Sequence, residues 1–259
     1  MAGKVFLVGA GPGAPDLLTL RAARLLAQAD IVFHDALVHP ETLALAIRAE
    51  KIAVGKRCGR HSTVQAFINK RLVDAARKHA VVVRLKGGDP MLFGRAQEEI
   101  DALRAAGIAF EVVPGVTAAL AAAAEVGASL TRRGVSRNVV FATPRVGDGE
   151  AASDWAEPLA SADTAAIYMG AGEAAAIART LMARGKPAGL PVVAVENASL
   201  PGSRRWTTTL GELPRLADEA FAGPVVLLLG EALAAAASPE RVRTAFLAAA
   251  EAHLLRTAV

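Results

Sequence analysis

The sequence predicts an α/β protein of two domains, with a mostly parallel sheet in the first domain and a mixed sheet in the second. In the first half, short apolar runs alternate with segments in which apolar residues recur at helical spacing. Strands that are separated by helices need crossover connections and therefore pair in parallel. In the second half, two runs of β-forming residues follow each other closely, which is typical of an antiparallel hairpin. We place the domains at 1–117 and 118–259.

The first half contains five predicted strands, each closed by glycine or polar residues. They lie at 4–9, 31–33, 52–54, 81–85 and 110–113. A first helix is expected from Asp16, which we interpret as its N-cap. A second is expected from Ser62, because Ser62 and Gln65 have the spacing of a capping box. A third lies near 96–103, where Ala96, Ile100 and Leu103 share one face.

The second half is predicted to contain five more strands and three helices. The strands are expected at 138–143, 164–169, 191–196, 205–209 and 225–229, and the helices at 173–184, 211–220 and 240–254. The third and fourth of these strands form the predicted hairpin and make the sheet mixed. The stretch 147–157 is acidic, small and aperiodic, so we expect an exposed loop.

Composition excludes several classes of protein. A chain of 259 residues with 53% hydrophobic residues can bury a core and is not disordered. The single cysteine, Cys58, excludes an intramolecular disulfide and a cysteine-based zinc site. The five histidines form no H-x-x-x-H pair, so no metal is predicted. No apolar run reaches about 18 residues, and no signal-peptide pattern opens the chain. We therefore expect a cytoplasmic protein that does not bind a membrane.

The charge is mildly basic. The net charge is +4, and the chain has only one Tyr, two Trp and eight Phe. A nucleic-acid binder usually shows a basic stripe with aromatic residues for stacking, so nucleic acid is not an expected partner. A small acidic substrate would account for the basic excess equally well.

Polar and glycine-rich segments follow the predicted strands of the first half and indicate a binding site. They lie at 9–16, 34–35, 55–61, 86–95 and 114–118. In parallel sheets, ligands bind beyond the carboxyl ends of the strands. Gly9, Gly11 and Gly13 resemble a dinucleotide fingerprint, but Ala14 stands where that fingerprint needs another glycine. Neighbouring prolines would also disturb the helix N-terminus that should bind a pyrophosphate, which argues against a nicotinamide site.

Several longer motifs resemble one family. The chain reads VGKRCGRH at 54–61, QAFIN at 65–69, VRLKGGDPMLFGR at 83–95 and VPGVTA at 113–118, and shorter matches are GAGPG at 9–13, YMG at 168–170 and VEN at 195–197. These motifs closely resemble the uroporphyrinogen-III C-methyltransferases of the tetrapyrrole methylase superfamily. The resemblance spans about 4–235. One departure is Thr143-Pro144-Arg145, where the family commonly has Thr-Gly-His.

The resemblance implies a fold, a cofactor and a reaction. It implies two α/β domains of the tetrapyrrole methylase type, with S-adenosylmethionine bound in the cleft between them, and a homodimer. It implies methylation of uroporphyrinogen III at two pyrrole carbons, giving precorrin-1 and then precorrin-2. Two alternatives are another precorrin C-methyltransferase of the corrin pathway and a non-catalytic S-adenosylmethionine sensor.

The resemblance also implies roles for individual residues. Asp35 matches the family's base and Lys56 its proton donor. The positions that match the cofactor pocket are Pro12, Gly87, Gly88, Asp89, Leu92, Thr117, Ala118, Met169 and Ala198. Arg95 and Glu98 lie one helical turn apart and are predicted to face the macrocycle together. Because arginine pairs well with carboxylates, the candidates for binding the substrate's acidic groups are Arg60, Arg132, Arg133 and Arg145.

Overall fold

The computed structural model describes residues 3–54, 61–147, 151 and 153–236, without the side chains of 61–64. The chain divides into two compact units. One comprises Met1–Ala122, Val146–Ala152 and Asn197–Ser203, and the other comprises Ala123–Arg145, Ser153–Glu196 and Arg204–Val259. The expected helix at 240–254, like Lys56, Cys58 and Arg60, lies outside the described residues.

The first unit contains the predicted parallel sheet. Its strands are β1 (Lys4–Gly9), β2 (Ile31–His34), β3 (Glu50–Ala53), β4 (Val81–Lys86) and β5 (Ala109–Val113), in the order β3-β2-β4-β1-β5. Every pairing between them is parallel. The order places β4 between β1 and β2, so the segments that follow these three strands leave the sheet side by side.

Helices supply apolar side chains to two cores of this unit. The helices are α1 (Leu20–Gln28), α2 (Pro40–Ala44), α3 (His61–Ala76), α4 (Ala96–Ala105) and α5 (Ala118–Val126). Leu72 of α3 and Leu103 of α4 are buried in one core with Leu7. Leu26 of α1 is buried in another with Leu85. Helices on both faces explain why the strands are apolar runs without strict alternation.

The predicted start of the first helix is wrong. Asp16 does not cap α1 but lies in a separate 3₁₀ turn at Pro15–Leu17. Leu18 and Thr19 then have extended backbones, with ψ of 145° and 148°, which separate the turn from the helix. Thr19 is the true N-cap, and its Oγ1 accepts a hydrogen bond from the Ala22 N–H at 3.1 Å. For the predicted capping box, the Ser62 side chain lies outside the described atoms, whereas Gln65 donates to Asn69 and to Glu99.

The second unit contains the predicted mixed sheet. Its strands are β6 (Val139–Ala142), β7 (Thr164–Tyr168), β8 (Pro191–Glu196), β9 (Arg204–Thr209) and β10 (Val225–Gly230), in the order β6-β7-β10-β8-β9. Strands β6 and β7 are parallel, and the other pairings are antiparallel. The predicted β8–β9 hairpin is therefore confirmed.

Two predictions for the second unit need correction. The segment 211–220 is not an α-helix but a 3₁₀ helix at Leu213–Asp218. Its start is delayed because the Leu210 and Gly211 N–H groups still bond to Leu190 and Ala188 beside the sheet. The end of the predicted loop 147–157 belongs to helix α6 (Ala156–Ser161), which packs beside α7 (Ala174–Ala183). Over the residues described in both units, no helix combines the length and apolarity that a membrane span requires.

One buried carboxylate closes the β8–β9 hairpin. Glu196 ends β8 with no exposed surface and accepts a hydrogen bond from Arg204 Nε at 2.6 Å across the hairpin. Its other oxygen accepts the N–H groups of Ala222 and Gly223. Burial raises the pKa of Glu196, but these donors outweigh it and lower the pKa below its ordinary value of 4.5.

We predict that Glu196 makes the stability of the protein depend on pH. The folded state keeps this carboxyl ionised to a lower pH than the unfolded chain does. Its contribution to the free energy of unfolding is therefore complete above about pH 4.5 and is lost as the pH falls through the lowered pKa. Glu196→Gln should remove this component, and urea denaturation at several pH values measures it. The control is Glu212→Gln, since Glu212 is exposed and pairs with Arg215; equal pH dependence in both variants would refute the assignment.

Candidate functional site

The first unit brings three strand ends together through glycines. Gly9 ends β1, Gly88 follows β4 and Gly115 follows β5. A Cβ atom on Gly9 would lie 2.6 Å from the Gly115 Cα and 2.8 Å from the Gly88 carbonyl oxygen, and a Cβ on Gly115 would overlap that oxygen. Only residues without a side chain allow the three backbones to approach so closely. Gly11 joins them, because its N–H and carbonyl bond to the carbonyl and N–H of Gly88 at 3.2 and 2.7 Å.

Asp89 fixes this arrangement of backbones, which we call the glycine cradle (Gly9, Gly11, Gly88 and Gly115). One Asp89 oxygen accepts the Gly115 N–H at 2.9 Å, and the other accepts the Met91 N–H at 2.8 Å. The carboxylate therefore ties the loop after β4 to the loop after β5. Beside it, Gly88 has φ of +67°, and the nearest atom to a Cβ there would be the Thr117 Cα at 4.0 Å. The cradle is thus tightly packed on one side and open beside Gly88.

Asp35 lies at the end of β2, next to the cradle. Its Oδ2 accepts the Gly87 N–H at 3.1 Å, and its Oδ1 accepts the Leu37 N–H at 3.0 Å. The residue is half-buried, while 60% of Leu37 is exposed. Two backbone donors hold the carboxylate in one orientation. The structure thus brings Asp35 and Gly87 together at neighbouring strand ends.

A buried cluster of charges lies beneath these strand ends. Glu99 of α4 has no exposed surface and accepts hydrogen bonds from Arg84 Nε at 2.9 Å and from Lys86 Nζ at 3.0 and 3.1 Å. Gln65 of α3 donates to the same carboxylate at 3.3 Å. Arg84 also donates to the Leu85 carbonyl oxygen at 3.0 Å. This cluster fixes the end of β4 against α3 and α4.

The cluster holds two basic side chains and one carboxylate. Burial lowers the pKa of Lys86, and the Arg84 charge lowers it further, although Glu99 and Asp35 favour the protonated form. The sequence analysis did not predict this cluster. Arg84 and Lys86 belong to the motif at 83–95, and Glu99 looks like part of the polar face of a helix. Arg84 and Lys86 alternate with Leu85 along a strand that is otherwise apolar, and that alternation was the available signal.

Arg95 and Glu98 form a pair at the start of α4. Arg95 precedes the helix with φ of 55°, and its guanidinium donates to both oxygens of Glu98, at 2.6 and 2.8 Å. About half of each side chain is exposed. The two residues, which the sequence places one helical turn apart, therefore form a direct ion pair.

Two further segments of the first unit meet at the loop that follows β1. Ser199 Oγ accepts the Ala14 N–H at 3.0 Å. Leu200 packs on Gly13, where a Cβ atom would lie 2.7 Å from the Leu200 Cγ. Ala198 is buried. Two candidate cofactor residues, Pro12 and Ala198, thus belong to segments that contact each other.

The remaining predicted residues are distributed over both units. Thr117 is buried in the first unit, and Ala118 begins α5 after it. Leu92 is half-buried after the turn that Asp89 stabilises. In the second unit, Met169 follows β7 with φ of 56° and is 45% exposed. The candidate substrate-binding residues of the second unit are all exposed, namely Arg132, Arg133 and Arg145.

Backbone turns account for the positions of two of these arginines. The Arg132 N–H and carbonyl bond to Ser136, which closes a tight turn. Arg145 donates its N–H to Thr143 Oγ1 at 3.2 Å.

Within the described ranges, no group of three or more His, Cys, Asp or Glu side chains could hold a metal ion.

The fold and the strand-end site define the class of protein. Residues 4–214 match the family described as tetrapyrrole (corrin/porphyrin) methylases, and the two five-stranded sheets agree with the fold of a solved methyltransferase. The chain belongs to this family of methyltransferases.

Individual relatives agree with this membership. The chain is 47% identical to the siroheme synthase of Chromobacterium violaceum over 232 residues, which cover 89% of this chain and 49% of that protein. The chain spans about half the length of the curated relatives it matches. A native uroporphyrin III C-methyltransferase structure from Thermus thermophilus is 39% identical, with a TM-score of 0.80 over 92% of this chain and 96% of that one. The structure of that enzyme complexed with S-adenosyl homocysteine is 40% identical, with a TM-score of 0.78 over 90% and 100% of the two chains.

A third relative acts elsewhere in tetrapyrrole chemistry. The structure of a cobalt precorrin-4 methyltransferase of cobalamin biosynthesis is 29% identical, with a TM-score of 0.78 over 89% of this chain and 95% of that one. The fold alone therefore does not distinguish which tetrapyrrole is methylated.

We predict that Glu99 is required for the stability of the first unit. Glu99→Gln leaves the side chains of Arg84 and Lys86 buried without their carboxylate, which should cost about 3–5 kcal/mol of unfolding free energy. Chemical denaturation measures the loss. The matched control is Glu98→Gln on the same helix, because Glu98 is half-exposed and its ion pair should contribute at most about 1 kcal/mol. Similar losses in the two variants would contradict the role given to Glu99.

Proposed function

We propose that this chain transfers methyl groups from S-adenosylmethionine to uroporphyrinogen III. Two transfers to pyrrole carbons would give precorrin-1 and then precorrin-2, the precursor of sirohaem and cobalamin. The glycine cradle carries the proposal, because it offers open backbone at strand ends in a chain that belongs to the methylase family. The similar Thermus thermophilus enzyme, whose structure contains S-adenosyl homocysteine, supports it.

The residues of the first unit fit a nucleoside-bearing cofactor. A side chain on Gly88 would enter the open space beside the cradle, so glycine there leaves room for a ligand to approach the backbone. The proposed cofactor residues are Pro12, Gly87, Gly88, Leu92, Thr117, Ala118, Met169 and Ala198. Asp89 contributes by holding the loops in place, because its two oxygens already accept the N–H groups of Met91 and Gly115. When bound, S-adenosylmethionine supplies a methyl group on a positively charged sulfur.

Asp35 is the proposed base. As a pyrrole carbon gains the methyl group, the ring must lose a proton, and a positioned carboxylate can accept it. The Gly87 and Leu37 N–H groups orient the Asp35 carboxylate before the substrate arrives. Because both donors are backbone groups, they cannot rotate away as a side chain would. The proposed proton donor, Lys56, lies outside the described residues.

Arginines are the proposed partners of the substrate's carboxylates. Arg132, Arg133 and Arg145 are exposed in the second unit, and guanidinium groups bind carboxylates through two parallel hydrogen bonds. Arg60 has the same proposed role and lies outside the described residues. Arg95 already shows this pairing mode with Glu98, so a substrate carboxylate could exchange with Glu98 at the same guanidinium.

We also propose a homodimer, which size-exclusion chromatography with light scattering would test.

The activity is tested by anaerobic incubation of the chain with uroporphyrinogen III and S-adenosylmethionine, followed by mass spectrometry. Gains of one and then two methyl masses support the proposal. The similarity to a cobalt precorrin-4 methyltransferase favours a later precorrin as the alternative substrate. Methylation of a precorrin but not of uroporphyrinogen III would establish that alternative. Cofactor binding without methyl transfer to either substrate would indicate a sensor.

We predict that Gly88→Arg abolishes cofactor binding while the protein still folds. The new side chain would occupy the open space beside the cradle, and calorimetric titration with S-adenosyl homocysteine measures the affinity. Gly107→Arg is the matched control, because Gly107 has the same φ of +67° and also lies in open space, but precedes β5 at the other end of the sheet. The φ angle is therefore matched in the two variants. Unchanged affinity in Gly88→Arg would exclude the cofactor from this position.

We predict that Arg95→Ala lowers turnover roughly ten- to a hundredfold, because one charge-assisted interaction with the substrate is lost. Affinity for S-adenosyl homocysteine should hardly change, since the cofactor is proposed to contact the glycines. Steady-state rates and cofactor titration of the same preparation measure both quantities. The control is Arg104→Ala, which removes an exposed arginine paired with Asp101 later in the same helix. Turnover near that of the wild type in Arg95→Ala would discard the role.

A further inference from the structure

We propose that Ser199 is a positioning residue for the cofactor. Through its hydroxyl, it holds the loop 11–14 against the segment 197–200, so that the two segments form one preorganised surface. The inference rests on the proposed function, because Pro12 and Ala198 are cofactor residues only under that proposal.

A direct hydrogen bond joins the two segments. Ser199 Oγ accepts the Ala14 N–H at 3.0 Å, between residues that are 185 positions apart in the chain. Ser199 directly follows Ala198, and Ala14 lies two residues beyond Pro12. The bond therefore links the two proposed cofactor positions through their immediate neighbours. Ala14 is the N-cap of the 3₁₀ turn at Pro15–Leu17, and its N–H bonds to the Ser199 side chain instead of to an acceptor within that turn.

Apolar packing fixes the same two segments. The Leu200 side chain lies against Gly13, where a Cβ would be 2.7 Å from its Cγ. The Leu200 N–H bonds to the Asn197 carbonyl at 3.0 Å, and the Ser203 N–H bonds to the Leu200 carbonyl at 2.9 Å. The segment is thus a closed turn that presents Ser199 and Leu200 as neighbours. The hydrogen bond joins Ser199 to Ala14, and the apolar contact joins their neighbours Leu200 and Gly13. Together these two contacts define one alignment of the two segments.

The backbone at Ser199 indicates that the hydroxyl is what this position requires. Ser199 has φ of 74°, a conformation that glycine adopts readily and that other residues rarely adopt. Glycine would suit the backbone but has no acceptor for the Ala14 N–H. Cofactor affinity therefore favours serine at this position, whereas folding stability favours glycine.

Preorganisation gives the expected size of the effect. A loop that is already held in its binding conformation loses less conformational freedom when the ligand binds. The loss of one hydrogen bond that maintains that conformation should weaken binding roughly three- to tenfold. The effect should appear as a higher KM for S-adenosylmethionine, whereas kcat at saturating cofactor should stay close to the wild-type value.

Three substitutions of Ser199 separate affinity from stability. Ser199→Gly removes the hydroxyl and relieves the backbone, so thermal stability should be kept or raised while affinity for S-adenosyl homocysteine falls. Ser199→Thr keeps the hydroxyl, but its β-branch is disfavoured at this φ, so stability should fall while affinity is largely kept. Ser199→Ala should lose both. Calorimetric titration and thermal unfolding of each variant of the chain measure the two quantities.

The control removes the same kind of bond elsewhere in the unit. Thr19 Oγ1 accepts the Ala22 N–H at 3.1 Å as the N-cap of α1, so Thr19→Ala should lower stability without changing affinity. Wild-type affinity in Ser199→Gly would overturn the inference while leaving the proposed function intact. A wild-type chain that does not bind S-adenosyl homocysteine would instead overturn the proposed cofactor and, with it, this inference.

Discussion

The close approach of three backbones at Gly9, Gly88 and Gly115 is the constraint on which the rest of the site depends. These residues end or follow β1, β4 and β5, which are neighbours in the parallel sheet. A single methyl group at Gly9 or Gly115 would separate the loops. Because the loops are in contact, the Asp89 carboxylate can span two of them with both oxygens. The sheet thus provides a rigid edge made of main chain, on which side chains such as Asp35 are placed at defined angles.

The charges beneath this edge serve a related purpose. The strand pairings fix β4 against β1 and β2, and the hydrogen bonds to Glu99, which require particular distances, also fix its end against α3 and α4. Arg84 and Lys86 lie two residues apart on the same face of β4, and both reach this one carboxylate on α4. A buried ionic group of this kind is a poor source of net stability but a strict determinant of geometry. Burial lowers the pKa of Lys86, and the neighbouring Arg84 charge lowers it further.

Sequence reasoning predicted the sheets better than the details of the site, for physical reasons. Strands such as Val81–Lys86 are buried apolar runs that hydrophobic periodicity detects directly, and the motifs around Gly88 lie where parallel strands end. The start of α1 was misplaced because Asp16 and Thr19 are both good caps, and backbone angles at Leu18 decide between them. The partnership of Ser199 with Ala14 could not be predicted, because a contact over 185 positions depends on tertiary folding. Site roles that depend on bound substrate stay predictions.

The segment 197–203 has a consequence for how the protein is made. It belongs to the first unit, although the strands on either side of it, β8 and β9, belong to the second. During synthesis the ribosome must add about seventy residues after α5 before Ser199 exists to accept the Ala14 N–H. The sheet of the amino-terminal unit can therefore form early. The loop after β1 cannot make its hydrogen bond to Ser199 until most of the remaining chain has been synthesised. A fragment cut at the end of α5 would lack this segment, so its isolated sheet would be an incomplete version of the unit found in the whole protein.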